Sequence, residues 1–147
     1  MTPYRIAILL LVFLLNVSSQ GSAEDQKTDL KSPIPQAQAV RCILGEARGE
    51  YAKQGERAFV AIAEVLRRRG STQGVYGCTD TIPAKDMVYM KAKGYFRIAE
   101  QAWKKSATTN ITNRATHWES TDFPVPYWAE KMKVVAIIGK HKFYKEN

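Results

Sequence analysis

Hydrophobic residues recur along the chain in three ways. Residues 6–15 form one unbroken apolar run behind Arg5, and a short polar stretch then ends in Gly21-Ser22-Ala23. Between residues 36 and 106 the apolar positions return every three or four residues, the period of a helix with one buried stripe. The first such helix begins near Gln36, carries Val40, Ile43, Leu44 and Ala47, and ends near Gly49. A second is expected over residues 53–69, with Phe59, Ile62, Ala63 and Leu66 on its apolar face and Gly70 as its stop. Two more are expected over residues 84–93 and 95–106, the latter with Phe96, Ile98, Ala99, Ala102 and Trp103 inward. Beyond Ala107 the helical period is lost. Residues 108–113 are rich in Thr and Asn and predict a loop. Residues 115–119, 134–138 and 142–144 are β-prone, with a helical turn over 127–132 between them. The pattern predicts an α+β chain that is mainly helical, with a small antiparallel β element near the C-terminus.

The N-terminal run changes the picture of domain organisation. A basic start, a short apolar core and small residues before Glu24 make residues 1–23 a secretory signal peptide. Residues 24–36, with Pro33 and Pro35, are expected to be a flexible leader, and residues 37–147 the folded domain. The protein is then exported, to the periplasm, cell wall or extracellular space. It would touch a membrane only if the apolar segment stayed uncleaved.

The net charge is +8, and falls to +7 without the signal segment, which holds Arg5 and no acidic residue. Such a charge favours anionic partners. Export makes anionic wall polymers a better expectation than nucleic acid. Arg67-Arg68-Arg69 fits a solvated helix end, where cations suit the helix dipole. Cys42 and Cys78 are the two cysteines, and in an oxidising compartment they predict one disulfide. Asn110-Ile111-Thr112 is a formal match to a glycosylation acceptor, a three-residue pattern of little weight by itself. His117 and His141 are the only histidines and share no ligand motif, so no metal or other cofactor is expected. A serine-hydrolase elbow is absent too.

Candidate chemistry begins at Gly45-Glu46-Ala47-Arg48-Gly49-Glu50. On a continuous helix Glu46 and Glu50, four residues apart, share a face. Cys42 lies one turn before Glu46. Breaking a glycosidic bond needs a carboxylic acid to protonate a poor leaving group. The aromatic-rich second half supplies companions: His117 and Trp118, then Tyr127 and Trp128, then Tyr144. Aromatic faces with polar neighbours suit sugar rings, which are apolar on their faces and polar at their rims.

Five segments taken in order resemble the cell wall hydrolase family typified by the spore-cortex-lytic enzyme SleB. They are Ile43-Leu44-Gly45-Glu46-Ala47-Arg48-Gly49-Glu50, Gly55-Glu56-Arg57-Ala58, Ala115-Thr116-His117-Trp118, Pro126-Tyr127-Trp128-Ala129 and Ile138-Gly139-Lys140-His141-Lys142-Phe143-Tyr144. The resemblance implies a lysozyme-like domain and cleavage of peptidoglycan glycan strands between N-acetylmuramic acid and N-acetylglucosamine. It implies lytic transglycosylation with Glu46 as the general acid and base, forming a 1,6-anhydro sugar. Glu50, His117, Trp118, Tyr127, Trp128 and Tyr144 then support the site or bind substrate. The family's Gln-Phe-Ser-like stretch after the second helix has no counterpart in residues 81–95, which leaves that loop's subsites unassigned. A monomer is expected. The competing reading is a non-catalytic, exported, basic wall-binding protein that keeps the fold.

Overall fold

The computed structural model describes residues 34–147; the expected signal segment and most of the expected leader lie outside the described residues. Ile34 already packs into the core. Among the described residues there are six α-helices: α1 (Gln36–Ala47), α2 (Tyr51–Gln54), α3 (Glu56–Arg69), α4 (Tyr76–Thr79), α5 (Ala84–Ala92) and α6 (Tyr95–Lys105). They precede strands β1 (His117–Ser120), β2 (Met132–Ile138) and β3 (His141–Glu146), with a 3₁₀ turn over Tyr127–Lys131. No described helix is long and apolar enough to cross a membrane.

Pro35 stands just before α1, where a missing N–H costs nothing. Val40, Ile43, Leu44 and Ala47 are all buried, as their spacing predicts. The helix expected over residues 53–69 is instead two. Gly55 adopts φ 60 and ψ −151, a conformation outside the helical region, and splits α2 from α3. Helix α3 is not merely amphipathic: every residue from Ala58 to Leu66 is buried. It runs through the middle, against α1, α2, α6 and β2. Gly70 ends it in the left-handed region, its N–H returning to the Leu66 carbonyl. Between α3 and α5, residues 70–83 contain the short helix α4.

The arginines that end α3 are not a solvated tip. Arg67 lies 4.0 Å over the Trp103 ring and donates to the Trp103 carbonyl at 2.6 Å. Arg68 donates to Thr112 Oγ1 and Asn110 Oδ1, each at 2.8 Å. Arg69 donates to the Gln73 carbonyl at 2.6 Å. Helix-end cations were expected to face water because their partners lie 35 or more residues away or in an irregular loop. In the same region Glu64, 1% exposed, accepts from the backbone N–H groups of Ile111 and Thr112 and from the Thr112 hydroxyl at 2.6 Å. This ties the central helix to the loop that leads into β1.

The strands form an antiparallel sheet in the order β1-β3-β2. Trp118 pairs with Phe143 and His117 with Tyr144, and a bulge interrupts β2 between Val134 and Ala136. Phe143 is fully buried on the helical side.

Candidate active site

A cleft of about 1000 Å³ runs between α1, the α4 loop and the sheet. Glu46 lies on its floor. The helix α1 reaches its last turn here, and Glu46 is half-buried. Both carboxylate oxygens are held. The backbone N–H of Gly77 donates to Oε1 at 2.6 Å, and the indole Nε1–H of Trp118 donates to Oε2 at 2.9 Å. One donor comes from α4, the other from β1.

The Gly77 contact depends on two glycines. A Cβ on Gly45 would overlap the Gly77 carbonyl, and a Cβ on Gly77 would stand 2.7 Å from the Glu46 side chain. Only chains bare at both positions approach this closely. The Cys42–Cys78 disulfide closes the same junction, with Cα atoms 4.1 Å apart. Cys42 precedes Glu46 by one turn and Cys78 follows Gly77, so the crosslink fastens the donor to the acceptor. Arg41 adds to the clamp by donating to the Gly77 carbonyl at 2.7 Å and to the Asp80 carbonyl.

Glu50 lines the cleft but does not share a helix with Glu46. Helix α1 stops at Ala47, a turn follows, and Glu50 caps the start of α2. It is 9% exposed, and its Oε2 accepts from the backbone N–H of Lys140 at 3.1 Å. A Cβ on Gly139 would collide with that carboxylate. Glu50 thus holds the β2–β3 turn against the helical wall.

The other expected residues divide into two groups. His117, Trp118, Tyr127 and Trp128 line the cleft. Tyr127 stands out from its rim at 85% exposure. The His117 and Trp128 rings lie 5.3 Å apart, and burial and the Arg69 cation lower the His117 pKa from its usual value. Tyr144 is only 3% exposed and is not among the cleft residues; it packs edge-on behind Trp128 at 5.3 Å. Of the two expected roles, supporting the site or binding substrate, this position fits the first. No group of three or more potential metal ligands occurs among the described residues.

Several cleft residues escaped sequence reasoning, notably Arg69, Tyr76, Gly77 and Asp122, while Phe123, Lys140 and His141 lie in the aromatic-rich second half that the sequence marks. Arg69 lies 5.7 Å from the Trp118 ring; burial lowers its pKa, against the pull of Glu46. Gly77 and Tyr76 had a usable signal. A disulfide from Cys42 puts Cys78 one turn from Glu46, so the residues just before Cys78 must face it. His141 lay inside a segment already marked by its aromatics. Arg69 and Asp122 had no local signal.

No protein-family model matches the chain, and no curated protein matches it. Solved structures do. The catalytic domain of the Bacillus cereus SleB protein is 19% identical, with a TM-score of 0.50, over 81% of this chain and 98% of that one. The catalytic domain of the germination-specific lytic transglycosylase SleB from Bacillus anthracis is 22% identical, with a TM-score of 0.45, over 76% of this chain and all of that one. The fold is that of the B. cereus domain: lysozyme-like, mainly helical, with a small antiparallel sheet.

Proposed function

We propose that this chain cleaves peptidoglycan glycan strands between N-acetylmuramic acid and N-acetylglucosamine, as a lytic transglycosylase with Glu46 as its general acid and base. The observation that carries this reading is the seating of Glu46: one carboxyl group on a cleft floor, with a separate donor on each oxygen. The shared fold with a SleB catalytic domain supports it.

In this mechanism protonated Glu46 gives its proton to the glycosidic oxygen. The carboxyl becomes negative as the bond breaks, and the Gly77 N–H and the Trp118 indole N–H already point at that charge. Donors placed in advance lower a barrier because they need no reorganisation during the step. The carboxylate then takes the proton of the sugar's own 6-hydroxyl, whose oxygen attacks the anomeric carbon and closes a 1,6-anhydro ring. Glu50 Oε2 is engaged by the Lys140 backbone N–H, and in this mechanism the substrate's N-acetyl group supports the anomeric centre. Tyr127, Trp128 and Trp118 offer ring faces to the sugars. Residues 1–23 direct export, the positive charge holds the enzyme near anionic wall polymers, and the protein works as a monomer.

A zymogram of purified cell wall compares the wild type with Glu46→Gln. The wild type should clear the wall and release muropeptides with 1,6-anhydro ends by mass spectrometry, and the variant should not. Equal clearing by both removes Glu46 from this role. Binding without any cleavage by the wild type favours the non-catalytic wall-binding protein.

A further inference from the structure

Two polar side chains that line the cleft are at least nine-tenths buried, and they differ in how their polar atoms are used. Glu50 is engaged by the Lys140 N–H. His141, 8% exposed, makes no side-chain hydrogen bond among the described residues. It opens β3 and lies two residues before the core residue Phe143, so its ring is on the helix-facing side of the strand.

The surroundings of His141 are acidic on every side. Glu46 reaches it from α1, Glu50 from the turn beyond, Glu119 from β1 and Asp122 from the loop after β1. The neighbouring cation, Lys140, is paired with Asp122 at 2.7 Å. None of the carboxylates bonds the imidazole. No fully buried side-chain nitrogen or oxygen in the described residues lacks a partner, so the polar edge of this ring opens on the cleft. Burial lowers the His141 pKa against the pull of the four carboxylates. A neutral imidazole offers one donor and one acceptor. Hydroxyl and acetamido groups, which are uncharged and both give and accept hydrogen bonds, match the ring.

We propose that His141 is a substrate-contacting residue of this cleft, binding a hydroxyl or acetamido group of the sugar seated beside Glu46. This rests on the glycan reading above. It adds a polar contact on the sheet side, opposite the α4 wall that holds Glu46.

The test uses the full chain labelled with ¹⁵N in its histidine rings and tryptophan indoles, with the N-acetylglucosamine tetramer as probe. The two histidines are assigned by single substitution. The tetramer should shift the Trp118 indole and the His141 ring signals together. His141→Ala should lower kcat/KM on purified wall by about threefold to tenfold, the loss of one neutral hydrogen bond. His141→Gln, which keeps a donor and an acceptor, should recover part of it. A tetramer that shifts Trp118 and leaves the His141 ring untouched overturns the His141 contact while the glycan reading stands. A tetramer that shifts neither, with no clearing of wall by the wild type, overturns both. The ring signals are read on the unsubstituted chain, so a poorly folded His141→Ala does not decide the outcome.

Discussion

The indole N–H of Trp118 meets Oε2 of Glu46 at 2.9 Å, joining residues 72 positions apart. In the proposed reaction this bond strengthens as Glu46 gives up its proton. Trp118→Phe keeps a ring and removes the N–H. A hydrogen bond to a charged group is worth about 1.5–3 kcal/mol, so kcat should fall by about tenfold to a hundredfold. Steady-state rates on purified wall, with circular dichroism to confirm the fold, check this. An unchanged kcat would mean that the indole positions nothing.

The disulfide holds the Gly77 donor against α1. Its sequence separation is 36, for which chain entropy gives about 3–4 kcal/mol of stability. Paired Cys42→Ser and Cys78→Ser substitutions should lower the urea midpoint accordingly. Activity measured well below that midpoint should fall too, because the Gly77 N–H is then held to Glu46 only by Arg41 and packing.

Glu50 separates two roles by its substitutions. If its task is to accept the Lys140 N–H, Glu50→Gln keeps the amide oxygen and should retain activity within about threefold. Glu50→Ala leaves a buried N–H unmet, a cost of about 1–3 kcal/mol, and should weaken both stability and turnover. A Gln variant as inactive as Glu46→Gln would give Glu50 a direct part in the reaction instead.

Glu64 predicts an acid limb in the stability profile. Burial raises its pKa, but hydrogen bonds from Thr112, Thr109 and the Ile111 and Thr112 N–H groups outweigh burial, and the net shift is downward. A carboxyl whose folded pKa lies below its unfolded one stabilises the fold above the unfolded value. That stability is lost as pH falls through the folded value. Urea unfolding at a series of acidic pH values should show this loss, and Glu64→Gln should flatten it while costing about 1–3 kcal/mol at neutral pH.

What could be read along the chain is what depends on near neighbours. The stripes of α1, α3 and α6, the strands around Gly139 and the pairing of the only two cysteines follow from local period, turn chemistry and cysteine count. Glu46 stood out through its motif, and the aromatics of the second half through their density. Gly55 shows where local reading fails. Its flanks carry helical spacing on both sides, and a single glycine is tolerated in a helix, so nothing nearby announces the break. The rest was decided by tertiary structure, because it rests on backbone groups brought from afar. The Gly77 N–H that seats Glu46, the Lys140 N–H that occupies Glu50 and the Ile111 and Thr112 N–H groups that meet Glu64 carry no side-chain signature. A backbone donor exists at nearly every residue, and only the fold selects which one meets a carboxylate.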